Sequence, residues 1–163
     1  GDRLISIDSQ APNKIVEEAV RGGLIGEIGN YEYVKREANF GQSRFDLLLK
    51  KTEGSGKADS CYMEVKGVTL EINGTALFPD APTERGARHM KELAAARKEG
   101  YRAVVIFLVQ MEGIKCFTPN KLMDSGFAEA LADAHSEGVE VLSYNCRVSE
   151  KEIVINERVE VVL

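Results

Sequence analysis

The chain has no tryptophan, and among its 163 residues are only four prolines, three cysteines and two histidines. His89 and His135 leave little material for a zinc site. Cys61, Cys116 and Cys146 are odd in number, widely spaced and set in apolar surroundings. That usage fits reduced core thiols better than a disulfide framework or a metal cluster. No apolar stretch approaches the ~20 residues of a membrane span, and Gly1 to Asp8 lack the basic and apolar regions of a secretory signal. A soluble cytoplasmic protein with no membrane partner is the expectation. Basic residues are also short: 21 Lys and Arg against 26 Asp and Glu give a net charge of −5. This argues against a strong non-specific nucleic-acid binder, because Lys and Arg supply most of that affinity. A local basic strip stays compatible with it, and metal-site carboxylates add negative charge that a bound cation offsets.

With 44% hydrophobic and 29% charged residues, the composition is that of a folded domain, and 163 residues suffice for one domain with a real core. No internal repeat or low-complexity segment is present. The opening at Gly1-Asp2, without Met, suggests a fragment of a longer chain.

Two short stretches carry chemistry: Ser43-Arg44-Phe45-Asp46-Leu47-Leu48-Leu49 and Cys61-Tyr62-Met63-Glu64-Val65-Lys66. Each sets a charged residue in a strand-like apolar run. Alternation along a strand puts Glu64 and Lys66 on one face, Met63 and Val65 on the other, and separates Asp46 from Phe45 and Leu47. Three successive leucines suggest a strand buried on both faces, where Asp46 is costly unless paired or metal-bound. A carboxylate on one strand and Glu-x-Lys on the next suits a metal-dependent phosphodiester nuclease. The carboxylates hold a hard divalent cation, Mg²⁺ or Mn²⁺, and the lysine positions water or neutralises phosphate charge. The plainer alternative is a Glu64/Lys66 ion pair on a wet strand face.

Periodicity organises the rest. Leu4 to Ile7 reads as a short strand, and Pro12 begins a helix whose stripe of Ile15, Val16, Ala19 and Val20 stops at Gly22-Gly23. Glu17 and Glu18 of this helix sit where a side chain reaches toward the open end of the sheet and offer one more candidate ligand; both equally suit surface charges, Glu17 the more so. Strands are expected over Tyr31 to Asn39, Arg44 to Lys50 and Cys61 to Lys66, the last continuing over Val68 to Ile72. After a turn at Asn73-Gly74, a helix runs from about Pro82 to Glu99 with Ala87, Met90, Leu93 and Ala94 inward. Arg102 to Val109 is a central strand, Ser125 to Glu137 a third helix, Val139 to Tyr144 a strand, and Glu152 to Ile155 with Val159 to Leu163 a closing hairpin. The order predicts an α/β layer fold with a mixed sheet.

A second constellation opens the middle helix: Phe78-Pro79-Asp80-Ala81-Pro82-Thr83-Glu84-Arg85-Gly86-Ala87-Arg88-His89. Asp80 or Thr83 can cap it. Gly86 costs roughly 1 kcal/mol relative to Ala in a helix, so a packing reason is expected. Arg85, Arg88 and His89 share a face at the positive end of the helix dipole and suit a phosphate, unless they form only a solvated basic face beside Glu84 and Glu92. Gln110, just after the hydrophobic strand, is a secondary polar candidate.

Pro12-Asn13 with Glu18-Ala19, Ser43-Arg44-Phe45-Asp46 after Gly41, Tyr62 through Lys66 with Val68-Thr69-Leu70, and above all Phe78-Pro79-Asp80-Ala81 through Arg85-Gly86 and His89 resemble the sugar fermentation stimulation protein A family. Arg102-Ala103-Val104 and Gly138 to Leu142 match its pattern as well. The resemblance covers essentially the whole chain and implies its C-terminal domain, residues 1–163, without the family's N-terminal OB-like barrel. It implies a restriction-endonuclease-like three-layer fold of the PD-(D/E)xK class, a central mixed β-sheet flanked by helices. Asp46 would be the Asp, Glu64 and Lys66 the E-x-K, and Glu18 the first-helix carboxylate. No Pro precedes Asp46, where Phe45 stands instead.

The resulting expectation is a DNA-binding domain with a divalent-metal-dependent endonuclease site. Asp46, Glu64 and Lys66 are its catalytic residues. The metal is held by Asp46, Glu64, the Val65 carbonyl and Glu18. Arg44, Arg85, Arg88 and His89 hold DNA phosphate, with Thr83, Glu84 and Gln110 in supporting places. The rival expectation is a non-catalytic DNA-binding transcriptional regulator of sugar (maltose) metabolism. Both leave a homo-oligomer open.

Overall fold

Ala103 to Val109 are all fully buried, and a strand hidden on both faces belongs at the centre of a sheet. The computed structural model, which describes residues 11–163, puts it there. In chain order the elements are α1 (Ala11–Arg21), β1 (Tyr33–Phe40), β2 (Ser43–Lys50), β3 (Ser60–Val68), β4 (Leu70–Ile72), β5 (Thr75–Phe78), α2 (Glu84–Lys98), β6 (Arg102–Val109), β7 (Cys116–Pro119), α3 (Ser125–Ser136), β8 (Glu140–Val148), β9 (Ile153–Arg158) and β10 (Glu160–Val161). The strand expected over Leu4 to Ile7 lies outside the described residues.

The main sheet has the order β1-β2-β3-β6-β8-β9. Strands β3, β6 and β8 are parallel, and the flanking pairs are antiparallel, so the sheet is mixed as expected. Alternation along β6 divides the core. Val104, Ile106 and Leu108 pack with Ile15, Val16, Ala19 and Val20 of α1. Val105, Phe107 and Val109 pack with Met90 and Leu93 of α2 and with Phe127 and Leu131 of α3.

A second sheet, β10-β7-β5-β4, lies on the α2/α3 side and is where the structure departs from expectation. Val68 to Ile72 does not continue β3: the main-sheet strand stops at Val68, and Leu70–Ile72 starts the second sheet. Asn73 and Gly74 both take positive φ, 49° and 86°, the backbone of a tight hairpin turn, and the chain returns as β5. Phe107 of the main sheet stacks on Phe117 of β7 at 4.3 Å between ring centroids, which joins the layers. The closing hairpin is also corrected. β9 pairs with β8, whereas β10 pairs in parallel with β7, so the two strands belong to different sheets. Only Val159, fully buried, separates them, and its N–H donates to Ser143 O at 2.8 Å.

Helix ends follow local chemistry. α1 closes in a Schellman arrangement, with Leu24 N–H to Ala19 O at 2.9 Å, Gly23 N–H to Val20 O at 3.2 Å and Gly23 at φ 70°. Thr83 caps α2 by accepting from Gly86 N–H at 2.8 Å. Asp124 caps α3 through Phe127 N–H at 2.9 Å and also accepts from Thr83 N–H at 2.7 Å, tying the starts of the two helices together. Gly86 has the expected packing reason: a Cβ there would stand 2.7 Å from Thr83 Cγ2 and 3.2 Å from Phe127 Cδ2.

Candidate active site

The β2–β3 ladder runs from Lys50↔Ser60 to Leu47↔Met63 and then parts. Side chains take over where the backbones separate. Asp46 N–H donates to Glu64 Oε1 at 3.3 Å, and Val65 N–H donates to Asp46 Oδ2 at 2.8 Å. Residues of an extended strand aim N–H and C=O at the same edge, so the Val65 carbonyl is directed to this gap too. Asp46 Oδ1 accepts from Asn13 Nδ2 in the first turn of α1 at 3.0 Å. The opening therefore lies between α1 and α2 at the splayed end of two strands.

Glu64 is 2% exposed and is held on its other oxygen by α2. His89 Nδ1 lies 2.5 Å from Glu64 Oε2, and Lys66 Nζ lies 3.4 Å from the same oxygen. Lys66 Nζ and His89 Nδ1 are 3.0 Å apart. The electrostatics split the two carboxyls. Burial, with the neighbouring Glu64 adding to it, pushes Asp46 up to about 8 against the pull of Val65 N–H and the Lys66 charge. Burial also opposes ionisation of Glu64, but its hydrogen bonds to His89 and Asp46 and the Lys66 charge outweigh it and hold the group down to about 2. Burial of two neighbouring carboxyls thus favours one proton on the pair when no cation is present.

A hollow of about 610 Å³ opens over Asp46, lined also by Asn13, Lys14, Glu17, Arg36, Glu37, Leu47 and Arg85. A second, of about 420 Å³, is lined by Gln42, Ser43, Arg44, Arg85, Arg88 and His89. Arg85 borders both, so a basic margin passes along the carboxylates despite the net negative charge.

The structure brings together Asp46, Glu64, Val65 and Lys66, and sets Arg44, Arg85 and Arg88 around them. His89, expected to hold phosphate, is 6% exposed; it lines the second hollow, and its Nδ1 is turned onto Glu64 and Lys66. Glu18 is exposed and lines neither hollow, whereas Glu17, its neighbour, is buried in the first hollow and paired with Arg21 and Arg36. Thr83 is a cap, and Glu84 is an exposed residue of the first turn of α2. Gln110 is buried beneath the site, where its Oε1 and Pro12 Cγ would stand 2.6 and 2.8 Å from a Cβ at Gly67. Asn13, Lys14 and Arg36 were not foreseen as site residues, and Glu17 was read more as a surface charge. A usable signal existed for two of them, since Asn13 and Glu17 stand four apart on one helix face.

The donors on offer are two carboxylates and a carbonyl, oxygen ligands that fit a hard divalent cation such as Mg²⁺, Mn²⁺ or Ca²⁺. Among the described residues, no three His, Cys, Asp or Glu side chains gather into a ready metal cluster. None of the described helices is long and apolar enough to cross a membrane.

Layers, sheet order and the parted strands define a restriction-endonuclease-like α/β domain. Comparison with known proteins makes this specific. The family described as sugar fermentation stimulation protein RE domain matches residues 10–152. A sugar fermentation stimulation protein homolog of Thermoanaerobacter pseudethanolicus is 55% identical over all 163 residues, which span 69% of that relative. A homolog of Clostridium botulinum is 50% identical over 99% of the chain and 68% of its own length. The structure of SfsA from Pyrococcus furiosus in complex with Ca²⁺ superposes with a TM-score of 0.87 at 28% identity, covering 99% of this chain and 68% of that one. The chain belongs to the sugar fermentation stimulation protein family.

Proposed function

We propose that this domain binds DNA and hydrolyses its phosphodiester bonds with a divalent metal. The observation that carries the reading is the pairing of Asp46 with Glu64 across the parted strands, with Lys66 on the Glu64 face and Arg85 at the rim. The Pyrococcus furiosus relative was solved in complex with Ca²⁺, which supports a divalent cation as a ligand. Asp46, Glu64 and the Val65 carbonyl would hold Mg²⁺ or Mn²⁺. Such a cation, when bound, neutralises phosphate charge and lowers the pKa of water. Lys66 donates to the attacking water and orients it toward phosphorus, while its charge favours the developing negative charge. Arg44, Arg85 and Arg88 hold the phosphates that flank the scissile one. Asn13 and Val65 N–H keep Asp46 in place.

The rival reading is a DNA-binding regulator of sugar metabolism without turnover. It is favoured by the contacts of Glu64 Oε2 with Lys66 and His89, an arrangement that satisfies the carboxylate without a cation. One experiment separates them: Mn²⁺ calorimetry and incubation with supercoiled plasmid, on wild type and Asp46→Ala. Binding and nicking that vanish together in the variant support the nuclease. Metal-independent DNA binding with no nicked product supports the regulator.

A further inference from the structure

His89 Nδ1 stands between a carboxylate oxygen at 2.5 Å and an ammonium nitrogen at 3.0 Å. One ring nitrogen offers either a proton or a lone pair, never both, so it bonds to Glu64 or to Lys66 at any instant. The ring is held for this task. It is buried in the second turn of α2, whose start is fixed by the Thr83 cap, by Asp124 on Thr83 N–H and by the close approach of Gly86 to Phe127. We propose that His89 is a positioning residue that sets the orientation of the Glu64 carboxylate and the Lys66 ammonium, and thereby the cation affinity of the Asp46/Glu64 pair. The inference rests on the metal-dependent reading above.

The physical ground is that a carboxylate free to rotate presents its lone pairs to a cation only part of the time. Glu64 Oε1 is tied to Asp46 N–H, but at 3.3 Å that bond is long. The short contact with His89 is the firmer restraint. With Nδ1–H on Glu64, the carboxylate plane is fixed. With the lone pair turned to Lys66, the ammonium is drawn to the ring and Oε2 keeps only its longer, 3.4 Å contact with Lys66. A buried histidine kept only for packing would not need its nitrogen at either partner.

Removing a hydrogen-bond partner of a metal ligand typically costs 10- to 100-fold in metal affinity or activity. The test is Mn²⁺ calorimetry with steady-state plasmid nicking on wild type, His89→Ala, His89→Leu and His89→Asn, each checked by thermal melting. Leu fills the volume without a nitrogen, in case Ala does not fold; Asn restores a polar group near the Nδ1 position. The expected result is Mn²⁺ affinity weaker by about 10- to 100-fold in Ala and Leu, with kcat reduced, KM for DNA unchanged and much of the loss recovered in Asn. Wild-type affinity in His89→Leu, or no recovery in His89→Asn, overturns the inference and leaves the nuclease reading standing. Absence of Mn²⁺ binding in the wild type overturns both.

Discussion

Val65 N–H donates to the Asp46 carboxylate at 2.8 Å, in the place where a neighbouring strand would otherwise offer a carbonyl. Asp46 therefore closes the ladder as well as facing the hollow. Asp46→Asn keeps an oxygen for Val65 and removes the charge. The expected outcome is a folded protein that loses Mn²⁺ binding and plasmid nicking. Asp46→Ala additionally leaves Val65 N–H without its acceptor and costs about 1–3 kcal/mol where that group is buried. Denaturant titration beside calorimetry distinguishes the two effects. Lys66→Ala should keep most of the metal affinity while losing nicking.

The two carboxyls make opposite contributions to stability with pH. Asp46, raised from 3.8 to about 8 mainly by burial, favours its protonated form in the folded state. Its contribution is full below the unfolded value and is lost as pH rises through about 8. Glu64, lowered from 4.5 to about 2, contributes above its unfolded value and loses that contribution as pH falls toward 2. Metal-free protein should therefore melt at a lower temperature at pH 8 than at pH 5.5, with Asp46→Asn flattening the slope. Mn²⁺ at pH 8 should restore the wild type and leave Asp46→Asn unchanged.

Gly67 follows Lys66 at the point where β3, α1 and the end of β6 meet. A methyl group there would stand 2.6 Å from Gln110 Oε1 and 2.8 Å from Pro12 Cγ. Overpacking of this kind costs about 1–3 kcal/mol, and a domain of this size loses about 2–4 °C per kcal/mol. Gly67→Ala should lower the melting temperature accordingly. It should also reduce nicking, because Pro12 adjoins Asn13, which holds Asp46.

Arg85 borders both hollows, so under the proposed nuclease reading its loss removes a phosphate contact. Arg85→Ala should weaken DNA binding uniformly across sequences and reduce the slope of log affinity against log salt by about one. Fluorescence anisotropy at several salt concentrations reads this directly. A change in Mn²⁺ affinity is not expected.

The Glu-x-Lys arrangement was legible because a period of two assigns faces without knowledge of the fold, and β6 because seven buried apolar residues have few other places to go; at Asp46 the period breaks, since Phe45 and Leu47 on either side of it pack into opposite core layers. The second sheet was not. Its strands have two to four residues, too few to display a period, and β7 ends in Pro119. Glu17 and Glu18 are adjacent, and the choice between them depends on the rotation of α1 about its axis, which packing of Ile15, Val16, Ala19 and Val20 on the sheet decides. His89 was read with Arg85 and Arg88 as one basic face. The face is real for the arginines, but the depth at which α2 sits over β3 turns the histidine inward.

Asp124→Ala removes one carboxylate from two backbone donors, Phe127 N–H and Thr83 N–H. Loss of an N-cap costs about 0.5–2 kcal/mol, and this residue serves two helix starts. The variant should be destabilised toward the upper end of that range in denaturant titration. Asp124→Asn, which keeps an acceptor, should recover part of the loss.

Because the chain passes from β9 to β10 across the single residue Val159, the edge strand of the large sheet and the edge strand of the small one are consecutive in the chain. Glu160 N–H bonds to Lys115 O and Val162 N–H to Phe117 O within a few residues of the β8–β9 ladder. Peeling the outer strand of the large sheet strips the edge of the small one in the same event. The amides of β7 and β9 are therefore expected to exchange with solvent through a common opening, at similar free energies.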